Sequence, residues 1–203
     1  MKPIIGIINR KEKLQSGTKI LYTYEEISNK IKEKGIPIGI NPDLDEIKLV
    51  NGIILQGGDK FDEKEIEIVK YAYKNDIPLL GICLGMQIMA FWAGAKEYNV
   101  ENHMKPNINN VHEVILKKDS KIYEILQKEK IIVNSRHNYQ IKNTTLEISG
   151  ISSDNIIEII EDKTKKFFIG IQWHPESLNN IDSKRLFDYF IEKARENGIK
   201  RNT

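Results

Sequence analysis

Three short stretches of this chain carry residue types that could share one piece of covalent chemistry. The first is Gly81-Ile82-Cys83-Leu84-Gly85, which holds the only cysteine of the chain with a glycine two positions to either side. A short apolar run, Pro78 to Ile82, leads into it. A helical pattern through Met86, Ile88, Met89 and Trp92 leads out and stops at Gly94. A strand that turns sharply into a helix around a nucleophile is a nucleophile elbow, and the glycines permit the close backbone approach that the turn needs. Cys83 would then sit at a helix N-terminus, where unpaired N–H groups and the helix dipole favour a thiolate. The second stretch, His174-Pro175-Glu176, offers a base for the thiol and an acceptor to hold the imidazole in one tautomer, with Pro175 stiffening the loop between them. The third is Gln56-Gly57-Gly58-Asp59. Here Gly57 and Gly58 can turn a backbone N–H toward a developing oxyanion, and the N–H of Leu84 would be the second donor.

Each stretch has a plain structural reading when taken singly. A lone cysteine is often an inert buried hydrophobe, a Gly-Gly is often a tight turn, and Glu176 could be a helix cap. The elements that would position them argue for the joint reading. Strands are expected at Ile4 to Asn9, Ile36 to Ile40, Val50 to Leu55 and 78–82, alternating with helices at Tyr22 to Lys34 and Glu63 to Lys74. A polar, basic loop with Arg10, Lys11 and Lys13 follows the first strand, and Asn41-Pro42-Asp43 closes the second. This alternation is the pattern of an α/β, doubly wound, mainly parallel sheet flanked by helices, in which ligands bind beyond the carboxyl ends of the strands. Extra strands are expected in the C-terminal half, at Val111 to Leu116, Ile131 to Asn134, Leu146 to Ile151, Ile156 to Glu161 and Phe167 to Gln172, before a helix from Ser183 to Ala194. On this reading all three loops leave the same edge of one sheet.

Composition narrows the classes. A chain of 203 residues is most simply one domain, 1–203. A formal net charge of +2, with lysine and glutamate interspersed, carries no nucleic-acid or membrane signal. One cysteine excludes an internal disulfide and a multi-cysteine metal site. No apolar run has the length of a membrane span, and the N-terminus MKPIIGIINR reads as a strand, so a cytoplasmic location that keeps the thiol reduced is expected. His103 and His112 have no second ligand set beside them in the sequence, so both are read as structural, and neither a metal nor an organic cofactor is expected.

LLGICLGMQ at 79–87, GIQWHPE at 170–176 and LQGGD at 55–59 together resemble the class I glutamine amidotransferase family over nearly the whole chain. The resemblance implies a flavodoxin-like fold, a Cys83–His174–Glu176 triad and hydrolysis of a γ-glutamyl amide through a thioester. It places Gln87 at the glutamyl group and the backbone around Arg136, His137, Asn138 and Tyr139 at its α-amino-acid end, with Gly57 lining the site. His112-Glu113-Val114, Val133-Asn134-Ser135 with His137, and Asp154 to Glu158 look like the free-standing γ-glutamyl-GABA hydrolase branch (peptidase family C26). The chain departs from that branch in a shorter loop after Asp59 and in Leu84, where the branch usually has arginine.

The expected reaction is therefore release of glutamate from a small-molecule γ-glutamyl conjugate by Cys83, with His174 protonating the leaving nitrogen and then activating water. Arg10, Lys11, Lys13 and Lys60 fall in loops at the expected site. A solvated loop is the plain reading of these cations; the alternative is that Arg10, whose paired donors match phosphate, recognises an anionic leaving group such as the nucleotide phosphoramidate of γ-glutamyl-CDP-amidate in capsule synthesis. The alternatives are a glutaminase subunit that feeds ammonia to a partner synthase, a non-enzymatic protein resembling the Parkinsonism-associated family, and a regulatory pseudoenzyme. The Parkinsonism-associated family carries a histidine directly after the elbow cysteine, where this chain has Leu84, and the complete set of Cys83, His174 and Glu176 speaks against a pseudoenzyme. A partner synthase is the less favoured arrangement.

Overall fold

Apolar runs without alternation form strands covered on both faces, and they make the centre of this molecule. The computed structural model describes residues 1–201. Its first strands are β1 (Ile4–Ile8), β2 (Arg10–Lys13), β3 (Lys19–Tyr22), β4 (Ile36–Ile40), β5 (Gly52–Leu55), β6 (Leu79–Ile82) and β7 (Lys96–Asn99). Then come β8 (His112–Leu116), β9 (Lys130–Val133), β10 (Tyr139–Lys142), β11 (Glu147–Ser152), β12 (Ile157–Glu161) and β13 (Phe168–Ile171). The helices are α1 (Glu25–Ile31), α2 (Leu44–Ile47), α3 (Lys64–Lys74), α4 (Leu84–Trp92), α5 (Lys121–Leu126) and α6 (Ile181–Arg201).

Nine of these strands form one sheet in the order β4-β1-β5-β6-β13-β12-β11-β8-β9. The first five are mutually parallel. The remaining four extend the sheet in antiparallel fashion from β13. The expected doubly wound parallel core with extra C-terminal strands is thus the observed fold. Side chains on successive strand residues point to opposite faces. Ile54, Leu80 and Ile82 accordingly pack with Ile27, Ile31, Phe187 and Phe190 of α1 and α6, while Ile53, Leu55 and Leu79 pack with Ile68, Val69, Met86 and Met89 of α3 and α4. No helix is long and apolar enough to cross a membrane among the described residues.

Three differences from the sequence expectations bear on the site and its surroundings. The expected basic loop is a hairpin, β2–β3, with Arg10 opposite Tyr22. Tyr22 therefore belongs to a strand, and the helix begins only at Glu25. Helix α5 was not expected, because its six residues are too short for a periodic signal; Ser120 caps it by accepting from Tyr123 N–H at 3.2 Å. The two-stranded β7–β10 sheet pairs Lys96–Asn99 with Tyr139–Lys142, a partnership that no local pattern announces.

The parallel core places the three chemical loops side by side. Leu55 is level with Gly81 across β5–β6, and Ile82 is level with Ile171 across β6–β13. One residue further along, Cys83 leaves the middle strand between Gly57 and Gln172. Such a junction requires α4 to start almost on top of β5. A Cβ on Gly85 would lie 2.0 Å from the Leu55 carbonyl oxygen, which is backbone and cannot move aside. Gly85→Ala should therefore lower stability by about 2–3 kcal/mol, or roughly 5–10 °C in Tm, as overpacking does. An unchanged thermal melt would contradict this account of the elbow.

Candidate active site

The backbone at Cys83 has φ 52° and ψ −107°, a conformation that a side-chain-bearing residue adopts only under constraint. The constraint comes from both neighbours: Cys83 N–H donates to the Ile171 carbonyl at 2.8 Å, and Gln87 N–H donates to the Cys83 carbonyl at 3.1 Å. The thiol is thereby held at the first turn of α4. Leu84 is the first residue of that helix, so its N–H has no intrahelical acceptor. Gly58, with φ +154°, forms the facing side of the cleft.

His174 meets the cysteine from the adjacent strand end. Its Nδ1 lies 2.6 Å from Glu176 Oε1, and its ring lines one cleft with Cys83. Burial alone would push the imidazolium toward neutrality. The negative charge of Glu176 and the hydrogen bond to it, with Cys83 close by, outweigh it and raise the pKa to about 10. The structure thus brings Cys83, His174 and Glu176 into one contiguous chain, with Gly57 and Gly58 beside them. A Cβ on Gly57 would come within 2.9 Å of His174 Cε1 and 3.7 Å of Cys83 Cβ.

Two clefts meet at the sulfur. The larger, of 580 Å³, runs over Gln87, Glu97, Arg136, His137, Asn138 and Tyr139. All the residues expected at the glutamyl end therefore line one space. The smaller, of 280 Å³, opens on the imidazole side, between Tyr24, Glu26, Asp59 and Ser177. Four side chains that the sequence reading left without a role contribute here. Gln172 Nε2 donates to Cys83 Sγ at 3.6 Å, while Gln172 Oε1 accepts from Gln87 Nε2 at 3.3 Å. Asn134 clamps the backbone of His174 from both sides, accepting its N–H at 2.8 Å and donating to its carbonyl at 2.8 Å. Ser177 Oγ accepts from Arg136 Nη1 at 2.8 Å. Glu97, on β7, faces the large cleft, and partial burial raises its pKa. Gln172 stands inside the GIQWHPE motif and so had a signal. Glu97 had none, since only the β7–β10 pairing brings it to the cleft.

Arg10 corrects the sequence reading. Its guanidinium is not presented to a leaving group: it is 4% exposed and turned inward. Nη1 pairs with both oxygens of Glu65 at 2.6 and 2.7 Å, Nε donates to the Gly57 carbonyl at 2.9 Å, and Nη2 donates to the Gln56 carbonyl. The physical reason is the hairpin: as the first residue of β2, Arg10 directs its side chain under the Gly57-Gly58 turn, where a buried cation needs a buried anion. Gln56 supports the same turn through Ile8 O, Tyr22 O and Tyr24 N–H. The premise that His103 and His112 stand apart from other metal-binding side chains is also overturned. Among the described residues His103, His137 and Glu158 have ligand atoms within 4.8 Å of one another, because strands distant in sequence converge there.

Arg10→Ala leaves Glu65 as an uncompensated buried charge and should cost about 3–5 kcal/mol of stability, read by denaturant unfolding; a loss below about 1 kcal/mol would mean the pair does not hold the turn. A second expected outcome concerns pH. His174 has a folded pKa raised from 6.5 to about 10, so its proton stabilises the fold fully below pH 6.5, and that contribution is lost as pH rises toward 10. Glu176→Gln removes the charge that raises it, so the Tm of this variant should decline less steeply than wild type over that window. Equal slopes would speak against the coupling.

Comparison with known proteins agrees with this geometry. The family model for glutamine amidotransferase class-I matches residues 14–194. A Schizosaccharomyces pombe protein that carries the name glutamine amidotransferase is 32% identical over 202 residues, covering 81% of this chain and 79% of the relative. The CTP synthase of Nautilia profundicola is 28% identical over 199 residues, covering 74% of this chain but 36% of the synthase. This chain thus spans about a third of the length of the CTP synthases it matches. Among solved structures, a Thermoplasma acidophilum protein named as one subunit of GMP synthase superposes with a TM-score of 0.76 at 21% identity, over 100% of this chain and 99% of the other. The glutaminase domain of Trypanosoma brucei CTP synthase, solved with bound acivicin, gives 0.72 at 17% identity, over 96% of this chain and 94% of the other. At these identities the structural likeness speaks to the fold, while the sequence match establishes descent: the chain belongs to the class I glutamine amidotransferase family.

Proposed function

We propose that this protein is a glutaminase that cleaves the γ-amide of glutamine through a thioester on Cys83 and delivers the ammonia to a partner synthase. The observation that carries the hydrolytic part is the grouping of Cys83 with the hydrogen-bonded pair His174–Glu176 at the junction of two clefts. In this reading the glutamyl substrate lies in the larger cleft. The Glu97 carboxylate receives its α-ammonium, and the segment from Arg136 to Tyr139 receives its α-carboxylate. Cys83 sulfur attacks the γ-carbonyl carbon, and the carbonyl oxygen gains charge opposite the N–H groups of Gly58 and Leu84. Losing one such donor typically costs about 10²–10³ in rate. His174, charged at neutral pH, gives its proton to the departing nitrogen and then takes one from the water that opens the thioester. Gln172 and Gln87 hold the sulfur and the glutamyl side of the cleft in register.

The synthase relatives support ammonia delivery over the free-standing hydrolysis expected from the sequence motifs. One observation favours a second reading, hydrolysis of a larger γ-glutamyl conjugate such as γ-glutamyl-GABA or a γ-glutamyl phosphoramidate. The 280 Å³ cleft on the imidazole side is roomier than ammonia needs. Arg10, being buried, no longer supports an anionic leaving group, so this reading rests on space alone. Glutamate release from glutamine and from both conjugates, measured for the purified chain with and without an ammonia-accepting synthase, separates the two. Glutamine turnover that rises at least tenfold with the synthase is expected, with Cys83→Ala abolishing it. Conjugate turnover exceeding glutamine turnover without a partner would favour the second reading, and no release from any of them would overturn both.

A further inference from the structure

Three of the four histidines of this chain do not reach the cysteine. They converge behind the wall of the larger cleft, around one carboxylate. His103 lies on the segment after β7, His112 on β8, His137 just before β10, and Glu158 on β12. Glu158 is 0% exposed, and neither of its oxygens has a hydrogen-bond partner among the described residues. Both ring nitrogens of His112 are likewise buried without a partner. Burial of an unpaired carboxylate is strongly unfavourable unless a cation faces it.

The hydrogen bonds around the cluster fix where its protons sit. His103 Nε2 is 2.8 Å from Asp154 Oδ2, and His137 Nδ1 is 2.9 Å from the Tyr139 carbonyl oxygen. Both acceptors require an N–H. In neutral rings this leaves lone pairs on His103 Nδ1 and His137 Nε2, which face each other at 3.1 Å. Ser135 Oγ, 3.1 Å from the same His103 nitrogen, can spend its proton on the His103 carbonyl at 2.7 Å. Glu158 Oε1 completes a triangle, 3.9 Å from His103 Nδ1 and 3.6 Å from His137 Nε2. His112 Nε2 stands 3.6 Å from the same oxygen.

We propose that His103 Nδ1, His137 Nε2 and Glu158 Oε1 bind a divalent transition-metal ion of the zinc or ferrous class. A tetrahedral ion with ligands at about 2.0–2.1 Å sets ligand–ligand edges of about 3.3–3.4 Å, and the three observed edges bracket that value. Two imidazoles and a carboxylate are a donor set suited to these ions. The second ring nitrogen of His103 and of His137 is already held by an acceptor, the arrangement that orients metal-bound imidazoles. A single proton shared between the facing nitrogens is the competing occupant. It would satisfy the 3.1 Å contact but leave Glu158 without a hydrogen bond at 3.6–3.9 Å. The ion would tie β12 and the segments that carry His103 and His137, joined by the Met104–Arg136 bridge, to one point behind the wall formed by Met104, His137 and Tyr139. The role assigned is therefore organisation of that wall, with no step of the reaction passing through the ion.

The test uses the full chain without an affinity tag, stripped with a chelator and then titrated with zinc, cobalt(II) or iron(II) salts. One equivalent of at least one of these ions should be retained through dialysis, measured by elemental analysis. Zinc should raise Tm, and bound cobalt should show the visible absorption of a four-coordinate site. Glu158→Gln and His103→Ala should weaken retention at least tenfold. Asp154→Asn, at a half-exposed position that leaves the core intact, should weaken it about 10–100-fold. Retention below one equivalent of every ion by folded wild-type protein would overturn the proposal in favour of the shared proton. Retention unchanged in folded Glu158→Gln and Asp154→Asn would overturn it in favour of an adventitious surface site.

Discussion

The strained backbone at Cys83 is the constraint on which the rest of the structure depends. A cysteine with positive φ is unfavourable in isolation, of the order of 1–3 kcal/mol, and persists only where its surroundings over-determine it. Here the ladder to Ile171, the first turn of α4 and the packing of Gly85 against the Leu55 carbonyl all demand the same conformation. The same geometry that strains the backbone presents the sulfur at a helix N-terminus, between the ends of two neighbouring parallel strands. Rigidity and reactivity thus have one cause.

Around the elbow the protein holds its buried charge in pairs. Glu176 and His174 form one, and their coupling holds the imidazole protonated despite its burial. Arg10 and Glu65 form another, which supports the Gly57-Gly58 turn from beneath and ties it to the β2–β3 hairpin. Breaking either leaves an uncompensated charge in the interior, which is far more costly than losing an exposed ion pair. The two pairs therefore act on opposite sides of the sulfur, one on the proton that it exchanges and one on the backbone that faces its substrate.

The antiparallel half of the sheet has a different task. It contributes little to the elbow, yet Asn134 at the end of β9 clamps the His174 backbone, and β10 with β7 carries the wall of the larger cleft. Gln172 links the halves, donating to the sulfur while its backbone N–H donates to the Glu158 carbonyl. Glu158 is in turn the carboxylate around which three histidines gather. The substrate wall and the buried histidine cluster are thus two faces of one layer, and the arrangement of one limits that of the other.

What the sequence determined by itself was everything carried by short-range pattern. The apolar run into Gly81-Ile82-Cys83-Leu84-Gly85, the Gly-Gly after β5 and the His-Pro-Glu after β13 each announce a strand end with a chemical group. Parallel topology then leaves few places for those ends except side by side. The tertiary structure alone decided the direction of long side chains and the meeting of distant strands. Arg10 looked available because its neighbours are basic and polar, but the β2–β3 hairpin turns it inward to Glu65. Glu97 reaches the cleft only because β7 pairs with β10, far along the chain. His103, His112, His137 and Glu158 are scattered along the second half of the sequence and converge only because β8 and β12 share one sheet and the segments that carry His103 and His137 meet it there. Periodicity reports which face of an element is buried; it contains no term for which buried faces will be neighbours, and that is set by the packing of the whole sheet.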